Sequence, residues 1–460
     1  MKINIRQRLG LQKGAAAVNM TEGPISKSIL MFALPLFMGQ LLQQFYNMVD
    51  AWVIGNFADN DAFAAVSSAG SITFLIVGLF NGISIGGGVI ISKYYGADDR
   101  ENVVKAIHTN FLFGIIASVL STLAGFLFVP QVLQWMNIPD SVMPNSLSYY
   151  GIYFGGVSTV IMYNICMSIM RALGDSIHPL YYLMCSSAIN VVLDLLFVAG
   201  FKWGVSGAAI ATVIAQGVSV ILCIVRMCRS TEYTRLDFKK LHFYKDSMVE
   251  IIKQGLPTGI QTSVSSIGNI VVQSNINSFG AFAMAGVGAY AKIEGFIFLP
   301  IMSMSMAMPT FISQNLGAKK YDRAKKGARF GILFGVTMAE LLGVIFYVAA
   351  PTLLRIFVDT AESIEYGIVH VRIIALFFFL LALTHCSAGV LRGCGKAFIP
   401  MVTMLVFWCG VRVTYVTCAL KLVPEFRMIS WAYPLTWCLS AVVLFTIVMK
   451  MDWTKAFRRK

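Results

Sequence analysis

Charge is scarce in this chain. Asp, Glu, Lys and Arg make up 13 % of its 460 residues, against about 25 % in a soluble domain. That scarcity, with 57 % hydrophobic residues and a mean hydropathy of +0.73, excludes a soluble globular domain. It points to a polytopic membrane protein. No two of the nine cysteines (166, 185, 223, 228, 386, 394, 409, 418 and 438) fall in a CxxC pair or a zinc spacing. They read as small packing residues. The five histidines (108, 178, 242, 370 and 385) form no ligand spacing, and there is no HExxH, GxSxG or DDxxD. An intramembrane enzyme and a resident cofactor therefore have no support. The basic opening stretch has no apolar run before Ile29. It does not read as a cleavable signal peptide, and we expect a loosely ordered cytoplasmic tail there.

What is present is a series of apolar runs. We place twelve spans near 28–55, 62–92, 104–129, 145–170, 179–200, 204–226, 247–276, 281–314, 327–350, 364–391, 398–420 and 428–449. Each is long enough for a membrane helix, which takes roughly 20 apolar residues. The net charge of +14 does not indicate nucleic acid, because the basic residues lie between the spans. With the start of the chain inside, 28 Lys and Arg fall in cytoplasmic segments and four (Lys202, Arg355, Lys421 and Arg427) fall outside. The positive-inside rule then predicts a multi-pass protein of the plasma membrane with both ends in the cytoplasm.

The chain also repeats. Ala33-Leu34-Pro35 returns as Gly255-Leu256-Pro257, and Asn47 as Asn269. Ser92 to Ala97 returns as Ser313 to Ala318, and Arg171-Ala172-Leu173-Gly174 as Arg392-Gly393-Cys394-Gly395. The offset holds at 221 or 222 residues. We therefore expect a cytoplasmic tail 1–23, a first lobe 24–226, a basic linker 227–246, a second lobe 247–450 and a basic tail 451–460. An even span number per lobe gives both the same orientation, and such plans place a binding site between the halves.

The first span carries Gln40, Gln43, Gln44, Asn47 and Asp50, with members three and four apart sharing a face. An ionisable group in the hydrocarbon costs about 2.5–3.5 kcal/mol, so that face should look into a cavity or at a partner. Asp50 lies roughly 8 Å below the outer end of its span at about 1.5 Å per residue, Asp194 roughly 9 Å and Thr212 roughly 12 Å. Asn190 sits one turn from Asp194 on the same face. The first half has no basic residue within its spans to balance its two acids. In the second half Lys292, Arg372 and Arg412 roughly balance Glu294 and Glu340, which predicts structural pairs there. Two acids, an amide and a hydroxyl at similar depth suit a hard cation, and two buried acids also share a proton readily. Na⁺ and H⁺ both stay open. The competing readings are a satisfied helix hydroxyl for Thr212 and an interhelical hydrogen bond for Asn190.

Pro35 with Asp50, Arg171-Ala172-Leu173-Gly174-Asp175, Asn190-x-x-x-Asp194 and Gly207-Ala208-Ala209-Ile210-Ala211-Thr212 together resemble the multidrug and toxic compound extrusion (MATE) transporters. The likeness is strongest to their DinF-like and MepA-like prokaryotic branches and runs from about Gly23 to Lys450. It implies an all-α membrane protein of twelve helices in two pseudo-symmetric six-helix lobes forming a V. It also implies antiport of organic, often cationic compounds against Na⁺ or H⁺, with no enzymatic step. Its cation site maps onto Asp50, Asn190, Asp194 and Thr212, which would also hold Na⁺. Other branches use an acid in the second lobe, whereas here Val272 stands at the repeat position of Asp50. The expected substrate cavity is lined by Gln40, Gln43, Tyr46, Asn47, Asn164, Met184, Thr262, Ser265 and Asn269. Expected partners are small organic molecules and membrane lipid, with the protein a monomer. The alternative is a flippase for a lipid-linked oligosaccharide or similar amphipathic lipid, from the same superfamily.

Overall fold

The structure is a computed structural model, describing residues 18–57, 60–135, 142–230 and 233–457. The start of the expected N-terminal tail and residues 458–460 lie outside that set. All regular structure among the described residues is helical, as an apolar solvent requires, since each helix satisfies its own backbone.

Six helices form the first half. They are α1 (Ile25–Phe57), α2 (Asn60–Gly96), α3 (Arg100–Trp135), α4 (Met143–Gly155 then Val157–Ala172), α5 (Ile177–Asp194, continuing as the π turn Leu195–Gly200) and α6 (Gly204–Cys228). The second half repeats the series. It has α7 (Lys245–Asn277), α8 (Ala281–Gly317), α9 (Tyr321–Leu354), α10 (Ala361–Ile374, the 3-10 turn Ala375–Phe377, then Phe378–Gly393), α11 (Phe398–Met404, the π turn Leu405–Val411, then Arg412–Leu422) and α12 (Phe426–Lys450). These match the twelve expected spans, with ends moved by a few residues. Among the described residues nine helices are long and apolar enough to cross a membrane unaided, and α4 makes a tenth if its two rods, bent by 43°, count as one. The bend falls at Gly156.

The two halves are interleaved. Ile29, Phe32, Ala33 and Leu36 of α1 are buried not in the first half but against Met304, Met308, Phe311 and Leu391 of the second. Conversely α7 lies along α2. A Cβ on Gly82 would overlap the backbone of Gly259, and one on Gly86 the backbone of Gly255. Only hydrogen side chains allow that approach. The pseudo-equivalent crossing of α1 with α8 is held by side chains. Gln40 Nε2 donates to Ser303 Oγ (3.2 Å), and Phe45 meets Phe296 with ring centroids 6.2 Å apart.

One face of the molecule gathers both described chain ends and both Arg-x-x-Gly loops. Val18 N donates to Gly174 O at 2.9 Å, and the Phe457 ring lies against Gly395. Gly174 and Gly395 have φ of 87° and 74°, values that suit glycine. Gln314 Nε2 and Ser92 Oγ both donate to Ala172 O (2.8 and 3.1 Å), and Gln254 Nε2 donates to Gly395 O (2.7 Å). Lys93 pairs with Glu250 at 3.4 Å, and Tyr94 donates to the same carboxylate at 2.8 Å. Arg323 donates to the carbonyls of Met20, Glu22 and Gly23. On this face the halves are closely joined. Toward the opposite face Asn47 on α1 and Asn269 on α7 are exposed.

Candidate cation site

Asp50 lies on α1 seven residues before its end at Phe57, on the side away from the chain ends. Tyr46, one turn earlier, shares its face. Asn190 and Asp194 repeat that spacing on α5, and Asp194 is the last residue before the π turn. Such bulges are frequent at functional sites. Thr212 comes from α6. The sequence-predicted four are thus brought to one place by three helices.

The carboxyl groups of Asp50 and Asp194 come within hydrogen-bond reach of each other. Asp194 is 0 % exposed and Asn190 1 %. With its amide turned to satisfy both neighbours, Asn190 donates to Asp194 Oδ2 at 2.7 Å and accepts from the backbone N–H of Thr212 at 3.3 Å. Thr212 Oγ1 and the Tyr46 hydroxyl lie 3.3 Å apart. A chain of polar groups therefore runs from Tyr46 through Thr212 and Asn190 to the two acids. Gln43 joins it as part of a crevice with Tyr46, Ser186, Asn190 and Gln216.

Two oxygens in this chain are left over. Asp50 Oδ1 and Asp194 Oδ1 are buried without a partner, and among the described residues neither acid is in an ion pair. Two ionised carboxylates at hydrogen-bond spacing repel, and neither can donate. The arrangement needs a proton on one of them or a cation between them. The donor set is all oxygen, which suits a hard monovalent or divalent ion.

The predicted cavity residues separate. Gln43 and Tyr46 line the crevice beside Asn190, and Gln43 Nε2 donates to Asn47 Oδ1 at 3.2 Å. Gln40 instead ties α1 to α8. Thr262 packs against Gly78 and donates to Thr258 O. Asn164 donates to Val160 O and lines a different cavity, near the chain-end face. Met184 is exposed, and Asn269 accepts from Arg412. The Ser265 side chain lies outside the described residues. Tyr46, expected in the substrate cavity, sets its hydroxyl beside Thr212 of the site.

In the second half the expected acid–base pairs do not form. Lys292 and Arg372 are exposed, and among the described residues Glu294, Glu340 and Arg412 make no ion pair. Arg412, 2 % exposed, donates to Thr436 Oγ1 (2.8 and 3.2 Å) and Asn269 Oδ1 (3.3 Å). It stacks against Tyr433 and Trp408 (4.6 and 5.2 Å). Tyr290 donates to Glu294 at 2.6 Å, and the backbone of Phe379 to Glu340 at 3.3 Å. Balanced signs within a half did not decide pairing; helix rotation and depth did. The aromatic cradle of Arg412 went unread, although Trp408 stands one turn before it in sequence.

A twelve-helix bundle of two repeated halves, with two acids facing each other in one of them, defines a secondary-transporter architecture. The MatE family model matches residues 35–196 and 257–416, once in each half, and the chain belongs to that family, the MATE transporters. Among curated relatives, a probable multidrug resistance protein of Bacillus subtilis, YpnP, is 26 % identical over 85 % of this chain and 88 % of its own. The multidrug export protein MepA of Staphylococcus saprophyticus is 24 % identical over 81 % of this chain and 82 % of its own. A solved MATE transporter described as outward-facing superposes with a TM-score of 0.88 at 19 % identity, covering 95 % of this chain and 98 % of its own. A Pyrococcus furiosus transporter of the same superfamily gives 0.89 at 18 % identity, over 97 % and 100 %. These likenesses fix the fold.

Proposed function

We propose that this protein exports small organic compounds, cationic ones among them, across the plasma membrane by alternating access. Entry of Na⁺ or H⁺ at Asp50, Asn190, Asp194 and Thr212 would drive the export. One observation carries the reading: the carboxyl groups of two acids of the first half lie within hydrogen-bond reach of each other, each with an orphan buried oxygen and, among the described residues, no base paired with either. The names of the curated relatives, multidrug resistance and export proteins, support the cargo class. A bound ion shifts the conformational equilibrium only through different affinities for the two states. Tyr46 and Asp50 ride on α1, which packs on the second half, whereas Asn190, Asp194 and Thr212 belong to α5 and α6. An ion held between them would therefore bias the position of α1. The positive-inside asymmetry supports a cytoplasmic chain-end face.

The test is efflux of a cationic dye from right-side-out vesicles loaded with it, under a Na⁺ gradient or a pH gradient imposed one at a time. We expect one gradient to drive transport in the unaltered protein and neither to do so in Asp194→Asn at matched protein level. Dye efflux by Asp194→Asn at the unaltered rate would remove these acids from coupling.

A further inference from the structure

Arg171 closes α4 and Arg392 closes α10, and they hold the same place in the two repeats, 221 residues apart. Both line one partly open cavity of about 50 Å³. It lies between the halves behind the chain-end face. Asn81 of α2 and Ser168 of α4 form one wall, and Thr310 of α8 contributes to the other. Arg392 is 9 % exposed, and the Nε–H of each arginine is buried without an acceptor.

No acid serves these guanidinium groups. Among the described residues neither arginine is in an ion pair. The acids nearest in the chain-end network are engaged elsewhere. Asp175 is held by the ring of His178 (2.7 Å) and by Arg226 (3.9 Å), and Glu250 by Lys93 and Tyr94. Two like charges thus border a small space, each with its Nε–H unused. An unpaired charge in such a place is costly. Water can supply acceptors, but it supplies no counter-charge.

We propose that this cavity binds a small inorganic anion of halide size, bridged by Arg171 from one half and Arg392 from the other. A water-sized sphere needs roughly 10–15 Å³ of such space, so the cavity admits a halide with a water or two and excludes a lipid headgroup. Because each half brings one arginine, the anion has its full donor set only when the halves meet on this face. Its binding therefore favours the state closed there, independently of how the coupling ion is assigned. Opening that face would separate the two arginines and release the anion.

Bromide is the probe. The unaltered protein is crystallised from sodium bromide and its anomalous scattering mapped. Its thermal unfolding midpoint is then followed as chloride replaces gluconate at constant sodium. We expect a bromide peak between the two guanidinium groups and a saturable rise in midpoint of roughly 2–4 °C with chloride. Both should be lost in Arg392→Gln and in Arg171→Gln. Absence of the peak from the cavity overturns the proposal. So does a peak with no chloride dependence of the midpoint, which would mark an adventitious ion only, or a peak that survives in Arg392→Gln. If neither variant folds, the unaltered protein decides through the first two measurements.

Discussion

In the first half the embedded charge is a pair of carboxyl groups facing each other; in the second it is a guanidinium held by a threonine, an asparagine and two aromatic rings, with the one carboxyl of Glu294 held by Tyr290. The backbone plan of the two is the same. Each has a π turn in its fifth helix, a proline early in its first and a positive-φ glycine after its fourth. Duplication has therefore kept the frame while the charge has diverged. Asn47 and Asn269 show the split at one repeat position, the first accepting from Gln43 and the second from Arg412. Where Asp50 stands in one copy, the buried Val272 stands in the other. A half whose two facing acids each keep an unpartnered buried oxygen thus lies against a half whose buried arginine is satisfied by its own neighbours.

The sharpest way to break that contrast is to neutralise the acids. Asp50→Asn or Asp194→Asn should bring ion-driven efflux to background while leaving the protein folded. Each lost charged contact costs about 1.5–3 kcal/mol, ~10–100-fold in ion affinity. Vesicle efflux and size-exclusion profiles check both parts. Next comes the difference between the two crossings. Gly82→Ala should push α2 off α7, because its methyl group meets backbone. Gly295→Ala should do less, because its nearest neighbour is the end of the flexible Gln44 side chain at 2.9 Å. Spin labels at positions 93 and 250 report this as a longer separation in the first variant only; equal distances in both would show that the crossings are equivalent.

A smaller change is expected from Thr212→Val, which keeps the shape and deletes the hydroxyl beside Tyr46. Half-saturation for the driving ion should weaken roughly tenfold, the worth of one hydrogen bond of about 1.4 kcal/mol, with the maximal rate kept. The smallest effect is predicted for Glu294→Gln. Its carboxylate accepts from Tyr290, an interaction that an amide oxygen can also accept. The ion dependence of efflux should stay unchanged, and a loss equal to that of Asp194→Asn would place coupling in both halves.

The helices were legible because lipid leaves the backbone no alternative, and the repeat because its offset is constant. Asp50, Asn190, Asp194 and Thr212 could be grouped by counting residues from the span ends, a measure of depth alone. What such counting lacks is rotation. It could not tell that Gln40 faces Ser303 and not the acids, or that the Tyr46 hydroxyl reaches Thr212. Nor could it separate Asn164, which lines the arginine cavity, from residues on the other side of the molecule. Arg412 was misjudged for a related reason: an arginine inside a membrane protein can be accommodated by neutral acceptors and aromatic faces, and these carry no charge to pair by sign.

The burial of α1 against the second half also sets a timetable. Arg323, which donates to the carbonyls of Met20, Glu22 and Gly23, lies 303 residues after Met20. At ~5–20 residues per second a ribosome needs roughly 15–60 s to reach it. Through that interval Phe32 and Leu36 have no Met308 or Leu391 to pack against, although Val18 can already reach Gly174, and Val53 and Ile54 can pack on Val198 and Ala208. The part of α1 nearer the start of the chain is thus among the last to find its neighbours. During synthesis the lipid itself, or an insertion factor, must shelter α1 with its embedded acid until the second half arrives.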